Sequence, residues 1–253
     1  MRDSKVNAVF VIPVFDHAAT LGRVVERALE TGLEVIVVDD GSTDGSAEVA
    51  RAIGEVTLIQ HPENRGKGAA LMSGLAAASR RADWAISVDA DGQHDPGEAP
   101  RLIEAIPAGD GPRPIVIGRR EGMDSPNTPW KSRFGRSFSN FWIKAAGGHA
   151  VTDSQSGFRA YPLPETLQLA PRGRRFQLEV EVLVLARWKG LPAIEVPISV
   201  SYAPPDERVS HYRPFVVFWR NAATFTRLIS ARLVLPRSTR ARSYDGESGE
   251  TSG

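Results

Sequence analysis

The sequence predicts an α/β fold: a doubly wound, mostly parallel sheet with helices on both faces, followed by a less regular second half. Three observations point there. Short β-branched apolar runs alternate with segments of helical spacing as far as Arg119. Several of those runs end in carboxylates, the pattern of strands that deliver polar groups to one edge of a parallel sheet. No apolar stretch approaches the roughly 18 residues a membrane-spanning helix requires.

The elements follow in order. Val6–Val14 is apolar and β-branched, and reads as a first core strand rather than a signal peptide, because no small-residue cleavage site follows it. Ala18–Glu30 places Leu21, Val24, Val25, Ala28 and Leu29 on one helical face. Glu34–Asp39 reads as a buried parallel strand, and Ser42 or Thr43 is placed to cap the helix that runs to about Ile53. A strand at Val56–Gln60, an alanine-rich helix at Gly68–Ser79, a strand at Trp84–Val88, a helix at Pro96–Ile106 and a strand at Pro114–Gly118 complete the first half. Beyond a loop at Glu121–Lys131, amphipathic or core helices are expected at Ser132–Ala146, Gln177–Trp188 and Pro214–Leu235, with a strand at Ile194–Tyr202. A single domain over residues 1–236 results, and residues 237–253 lack apolar side chains to bury and are expected to be disordered.

Composition excludes several classes. The formal net charge of +1 carries no footprint of a nucleic-acid partner. Without cysteine there are no disulfides, thiolate metal sites or cysteine nucleophiles, and a reducing compartment, the cytoplasm, fits. The chain lacks both the Walker spacing and a G-x-G-x-x-G turn after its first strand.

Four motifs carry the chemistry. In Val88-Asp89-Ala90-Asp91-Gly92-Gln93-His94 an apolar strand delivers two carboxylates, one residue apart, to the same side of the pleat. Two hard oxygen ligands suit Mg²⁺ or Mn²⁺ and, through it, a substrate diphosphate. The plainer alternative is a turn capping a helix. His94 reads as a neighbour of this turn rather than a ligand. In Asp39-Asp40-Gly41-Ser42-Thr43-Asp44 the paired acids at a strand end can accept hydrogen bonds from a base edge or ribose, whereas Ser42, Thr43 and Asp44 are ordinary capping types. Pro13-Val14-Phe15-Asp16 offers an aromatic for stacking and an acid for a ribose, although Phe15 also suits a core. Asn64-Arg65-Gly66-Lys67-Gly68 before a helix suggests an anion site centred on Lys67.

As a set and in this order, the motifs resemble the family 2 glycosyltransferases of GT-A fold. The resemblance runs from about Val6 to Arg119 and implies that residues 6–119 bind a nucleoside-diphosphate sugar. Asp16 and Asp39 would then serve the nucleoside, beside the strand-end candidate Asp40, and Asp89 and Asp91 the metal and diphosphate. The second half, 120–236, would recognise the acceptor. There, Asp153-Ser154-Gln155-Ser156-Gly157-Phe158-Arg159, Phe176-Gln177-Leu178-Glu179 and Glu195-Val196-Pro197-Ile198 resemble polyprenyl-phosphate sugar synthases of the dolichyl-phosphate mannose type. In that group Gln93 joins the metal shell. Arg208-Val209-Ser210-His211 stands where such enzymes carry Arg-x-Ser-Lys against phosphates, and His211 here replaces the fixed charge.

The expected reaction is an inverting transfer of a hexose from a GDP- or UDP-sugar, aided by Mg²⁺ or Mn²⁺, to a lipid phosphate. Arg119, Arg133, Arg208 and Arg213 would bind an anionic acceptor. A hydroxyl acceptor would instead need a base, for which Asp153 is the candidate; its structural alternative is an ion pair with Arg159 or a place in a nearby turn. The basic amphipathic helices suit either core packing or peripheral contact at the inner face of a membrane. Two other classes share features with this reading. A sugar nucleotidyltransferase would open with a glycine-rich basic loop, which the chain lacks, and a non-catalytic nucleotide-binding module would not need the Asp89–Asp91 pair.

Overall fold

The computed structural model describes residues 6–109, 111–121, 130–200 and 214–234, with 130–135 and 214–221 described by their backbone alone. The strands are β1 (Ala8–Val14), β2 (Glu34–Asp39), β3 (Val56–Gln60), β4 (Trp84–Ser87), β5 (Ile115–Arg120), β6 (Arg159–Pro162) and β7 (Ala193–Ile198). The helices are α1 (Ala18–Leu29), α2 (Ser46–Ile53), α3 (Lys67–Ala78), α4 (Ala99–Glu104), α5 (Trp130–Ala145), α6 (Glu165–Gln168), α7 (Gln177–Trp188) and α8 (Pro214–Val234).

The strands form a seven-stranded sheet in the order β3-β2-β1-β4-β6-β5-β7. β1 pairs in parallel with β2 and β4, and β2 with β3. β6 runs antiparallel to both β4 and β5, whereas β5 and β7 are parallel. Both faces are covered, which explains why the central strands read as unbroken apolar runs. Val9, Val11, Ile36 and Val38 share one core cluster with residues of α3, α7 and α8, while Phe10, Ile12, Val35 and Val37 share a second with residues of α1 and α2.

The doubly wound sheet is as expected, and β2, β3 and α7 have the expected bounds. Three differences matter for the site. β6 and the short α6 had no expectation: Arg159-Ala160-Tyr161-Pro162 is too short for a period, and its burial comes from insertion between β4 and β5. The helix after β2 starts at Ser46, preceded by Gly45 at φ +91°, so Ser42 and Thr43 do not cap it. Instead Asp44 accepts from the Ser46 amide at 3.0 Å and the Ser46 hydroxyl at 2.6 Å, and reaches across to the Ala18 amide at 2.8 Å. The expected helix at Pro96–Ile106 is a single 3₁₀ turn, Pro96–Glu98, followed by α4.

The expected strand at Ile194–Tyr202 is β7 as far as Ile198. The loop at Glu121–Lys131 lies mostly outside the described residues, as does the tail. Among the described residues no helix is long and apolar enough to cross a membrane.

Candidate active site

The motifs converge at the carboxyl ends of β1, β2 and β4, where open α/β sheets bind ligands. The register brings Val14 opposite Asp39, so Asp16 and the acids ending β2 emerge side by side. Asp16 takes φ +52°, a strained backbone for a non-glycine residue. Its Oδ1 accepts the Thr43 amide at 2.8 Å, and its own amide donates to Ser42 Oγ at 3.0 Å. Ser42 and Thr43 thus lock the first-strand acid in place rather than cap α2. Asp39 is buried, accepting from the Ser42 amide at 3.0 Å and Gln60 Nε2 at 3.3 Å. Pro13 is buried within β1, and Phe15 is half-buried above it.

Asp40, expected to serve the nucleoside, is only 1% exposed, and its carboxylate is taken up by loop 61–66. Oδ1 lies 2.7 Å from His61 Nδ1 and accepts the Arg65 amide at 3.0 Å, and Oδ2 accepts the Gly66 amide at 2.7 Å. His61 Nε2 in turn lies 3.0 Å from Ser73 Oγ on α3. A buried carboxylate must be matched by donors, and these donors fix the loop that delivers Lys67.

Lys67, the first residue of α3, reaches the Asp89–Asp91 turn. Its Nζ is 2.7 Å from Asp89 Oδ1 and 2.7 Å from Glu179 Oε1, with the Phe176 ring centroid 5.5 Å away. Burial works against the ammonium charge, but the two carboxylates outweigh it and hold the lysine protonated. Burial likewise pushes Asp89 up, yet the nearby positive charges, Lys67 foremost and Arg120 with it, bring its carboxyl below the usual value, so Asp89 stays ionised.

Asp91 behaves differently. Burial, then the charge of Asp89, raises its carboxyl to about 6. Its hydrogen bonds come from Gln93, whose amide donates to Oδ1 at 3.0 Å and whose Nε2 donates to Oδ2 at 2.8 Å. The turn is pinned from α1, where the Thr20 hydroxyl donates to the Ala90 carbonyl at 2.6 Å.

Two hard carboxylates that repel one another, with a side-chain amide beside them, fit a divalent cation. Among the described residues no three His, Asp or Glu side chains form a complete metal cage. Such partial ligation is what Mg²⁺ or Mn²⁺ uses when substrate phosphates and water fill the remaining positions. His94 is buried against Phe158, its ring centroid 5.9 Å away, with neither ring nitrogen hydrogen-bonded. Burial lowers it to about 4, so it is a neutral imidazole.

The second-half signatures assemble into one clamp beside the Asp89–Asp91 turn. Ser87 donates to the Gly157 carbonyl at 2.7 Å, and a Cβ on Gly157 would collide with the Asp89 carboxylate. Arg159 is fully buried and donates to the carbonyls of Ser156 at 2.8 Å, Ser154 at 2.6 Å and Glu179 at 3.0 Å. Glu195 accepts the amides of Thr152 and Asp153 at 2.9 and 2.8 Å.

Asp153 is wholly buried and bidentate to Arg120, with Nε–Oδ2 and Nη2–Oδ1 both 2.8 Å. Burial alone would raise its carboxyl, but Arg120 overrides this and holds it below the usual carboxylate range. The ion-pair partner is therefore Arg120 and not Arg159, and both oxygens are engaged rather than open to take a proton. Sequence reasoning also passed over Arg120 in favour of Arg119, its neighbour on β5. Alternation along a strand was the available signal that the two adjacent arginines point to opposite sides and can serve different groups.

Arg119 is half-buried at the end of β5. Arg133 lies on α5, where only the backbone is described, while Arg208, Ser210, His211 and Arg213 lie outside the described residues.

With this geometry in place, comparison with known proteins is informative. Residues 9–163 match the profile of glycosyl transferase family 2. The UDP-N-acetylglucosamine–dolichyl-phosphate N-acetylglucosaminyltransferase of Methanococcus voltae is 31% identical over 217 residues, covering 76% of this chain and 84% of that protein. The polyprenol monophosphomannose synthase of Mycolicibacterium smegmatis is 28% identical over 202 residues, covering 75% of each. In fold, the chain is similar to the crystal structure of glucosyl-3-phosphoglycerate synthase from Mycobacterium tuberculosis with Mn²⁺, uridine diphosphate and glucosyl-3-phosphoglycerate. The TM-score is 0.64 at 22% identity, covering 96% of this chain and 82% of that one. The architecture is that of GT-A glycosyltransferases.

Proposed function

The chain belongs to glycosyl transferase family 2, and from that premise we propose that it moves a hexose from a nucleoside-diphosphate sugar to a polyprenyl phosphate, with inversion and with a divalent metal. The observation that carries this reading is the Asp89–Asp91 pair set beside Lys67 at the carboxyl edge of the sheet. Asp16 and Asp39 stand next to it for the nucleoside, and Asp89, Asp91 and Gln93 would hold Mg²⁺ or Mn²⁺. When bound there, the cation supplies charge neutralisation for the departing diphosphate.

Lys67 adds a fixed positive charge on the same side, in a half-buried site where such a charge counts for more than in water. In the transfer, an acceptor oxygen forms the new bond to the anomeric carbon as the bond to the diphosphate breaks. A phosphate acceptor is already an anion and gives up no proton. Asp153 supports that choice over a hydroxyl acceptor, because Arg120 engages both of its oxygens. The named relatives from Methanococcus voltae and Mycolicibacterium smegmatis point the same way.

Arg119, Arg133, Arg208 and Arg213, with Ser210 and His211, are the proposed ligands of the acceptor phosphate. Contact with a membrane surface would suit α5 and α8, where Phe141 is 64% exposed and the exposed Lys144 and Arg232 are basic. A cytoplasmic place at the inner membrane face goes with that reading.

Calorimetric titration with UDP and GDP, each with and without Mn²⁺, tests the donor site and identifies the base. Metal-dependent binding of one nucleotide is expected, and binding of neither by the folded protein would refute the assignment. Transfer to a short-chain polyprenyl phosphate, set against transfer to water-soluble hydroxyl acceptors, tests the acceptor.

A further inference from the structure

Lys67 occupies an unusual position for a diphosphate ligand. Its ammonium already rests on Asp89 Oδ1, the oxygen a metal would need, and on Glu179 Oε1, each at 2.7 Å. The Glu179 side chain is 8% exposed. Its backbone carbonyl is held by Arg159, so this end of α7 cannot drift away. On the other side, Lys67 opens α3 directly after the loop that Asp40 anchors. The lysine is therefore fixed from both sides, with its charge on the carboxylate a cation would bind.

A divalent cation approaching Asp89 without nucleotide must either share a carboxylate with a unit positive charge or drive that charge off. In a half-buried site this repulsion is weakly screened. A diphosphate changes the balance, because its oxygens give the ammonium another anion to face and leave Asp89 to the metal.

We propose that Lys67, tethered by Glu179, is the resident counter-ion of the metal turn and makes metal binding conditional on the nucleoside diphosphate. Glu179 is then a positioning residue, keeping the lysine beside the turn after it leaves Asp89. The inference rests on the donor-site reading above and adds to it an order of assembly. By linkage, metal and nucleotide must raise each other's affinity by the same factor.

The test is Mn²⁺ binding followed by electron paramagnetic resonance, which reads free against bound ion without any turnover. Wild type should bind Mn²⁺ weakly alone and roughly tenfold tighter with UDP or GDP. Lys67→Met should bind Mn²⁺ alone roughly tenfold tighter than wild type and lose most of the coupling, while Lys67→Arg should keep the wild-type pattern. Lys67→Met leaves two carboxylates without their cation, so the Lys67→Met/Glu179→Gln double variant guards against misfolding and keeps the net charge of the site unchanged. Tightening in the double variant would show that the lysine blocks Asp89 rather than merely adding charge. If neither variant tightens Mn²⁺ binding while Asp91→Asn abolishes it, the counter-ion proposal is wrong and the metal site stands. If Asp91→Asn binds Mn²⁺ with nucleotide as well as wild type does, the donor-site reading falls and the proposal with it.

Discussion

Replacing Asp91 by Asn should make the metal-free protein more stable while removing its response to metal. In the folded chain burial and Asp89 raise the Asp91 carboxyl from 3.8 to about 6. Between those values the folded state holds a proton that the unfolded chain has released. This group's contribution to stability therefore falls as pH rises through the window, and the full penalty is present above about pH 6. A shift of about two units corresponds to about 3 kcal/mol. Partial exposure reduces that figure, and Asn also gives up one of the two Gln93 hydrogen bonds, worth about 1 kcal/mol. A net gain of about 1–2 kcal/mol remains, or roughly 2–6 °C in melting temperature for a chain of this length. Thermal denaturation in EDTA from pH 4.5 to 8 checks it. The variant should melt higher than wild type at pH 8, and the difference should shrink toward pH 4.5. Adding Mn²⁺ with nucleotide should then raise wild type and leave the variant unchanged. A variant that melts at or below wild type at pH 8 in EDTA would refute the claim that Asp91 is held at a cost.

Other residues give sharper separations between structural and chemical roles. Asp153→Asn breaks a buried bidentate pair and should cost about 3–5 kcal/mol in urea denaturation; unchanged stability with lost transfer would make Asp153 a proton acceptor instead. Gly157→Ala puts a methyl group into the Asp89 carboxylate, and calorimetry should show metal-dependent nucleotide binding falling at least roughly tenfold, a loss of about 1.4 kcal/mol. Arg208→Ala should raise KM for a phosphate acceptor with nucleotide affinity unchanged, and equal losses in both would move Arg208 to the donor diphosphate.

How much of this was legible in the sequence depends on whether a residue's task is local. The acidic turn that follows β4 is readable because apolar runs and turn residues are adjacent in the chain, although β4 ends at Ser87 and Asp89 and Asp91 lie in the turn beyond it rather than on its pleat. The same holds for β2 and Asp39. The contacts of Asp40 were not readable, because its partners, His61, Arg65 and Gly66, come from a loop more than 20 residues away. Arg120, Gly157 and Glu179 show the same limit. Arg120 is ordinary in its own segment, and Gly157 and Glu179, though they lie in segments that carry the resemblance, meet Asp89 and Lys67 only once the chain has folded. β6 was invisible for a related reason, since four residues carry no period and their burial is imposed by β4 and β5.

The charge pattern of the site explains why those long-range contacts are needed at all. Asp153 is neutralised by Arg120, and Asp89 and Glu179 share Lys67. Asp91 is hydrogen-bonded by Gln93, an uncharged donor, and sits against the charge of Asp89. An arrangement optimised for stability would give Asp91 a cation of its own or replace it. A fold that instead clamps the neighbouring carboxylates and leaves this one at a cost holds an unmatched negative charge where a divalent ion can relieve it. Part of the second half of the chain packs directly beside this turn: Ser87 donates to the Gly157 carbonyl, and Arg159, Glu195 and Arg120 hold the 152–156 segment and the start of α7 in place around it.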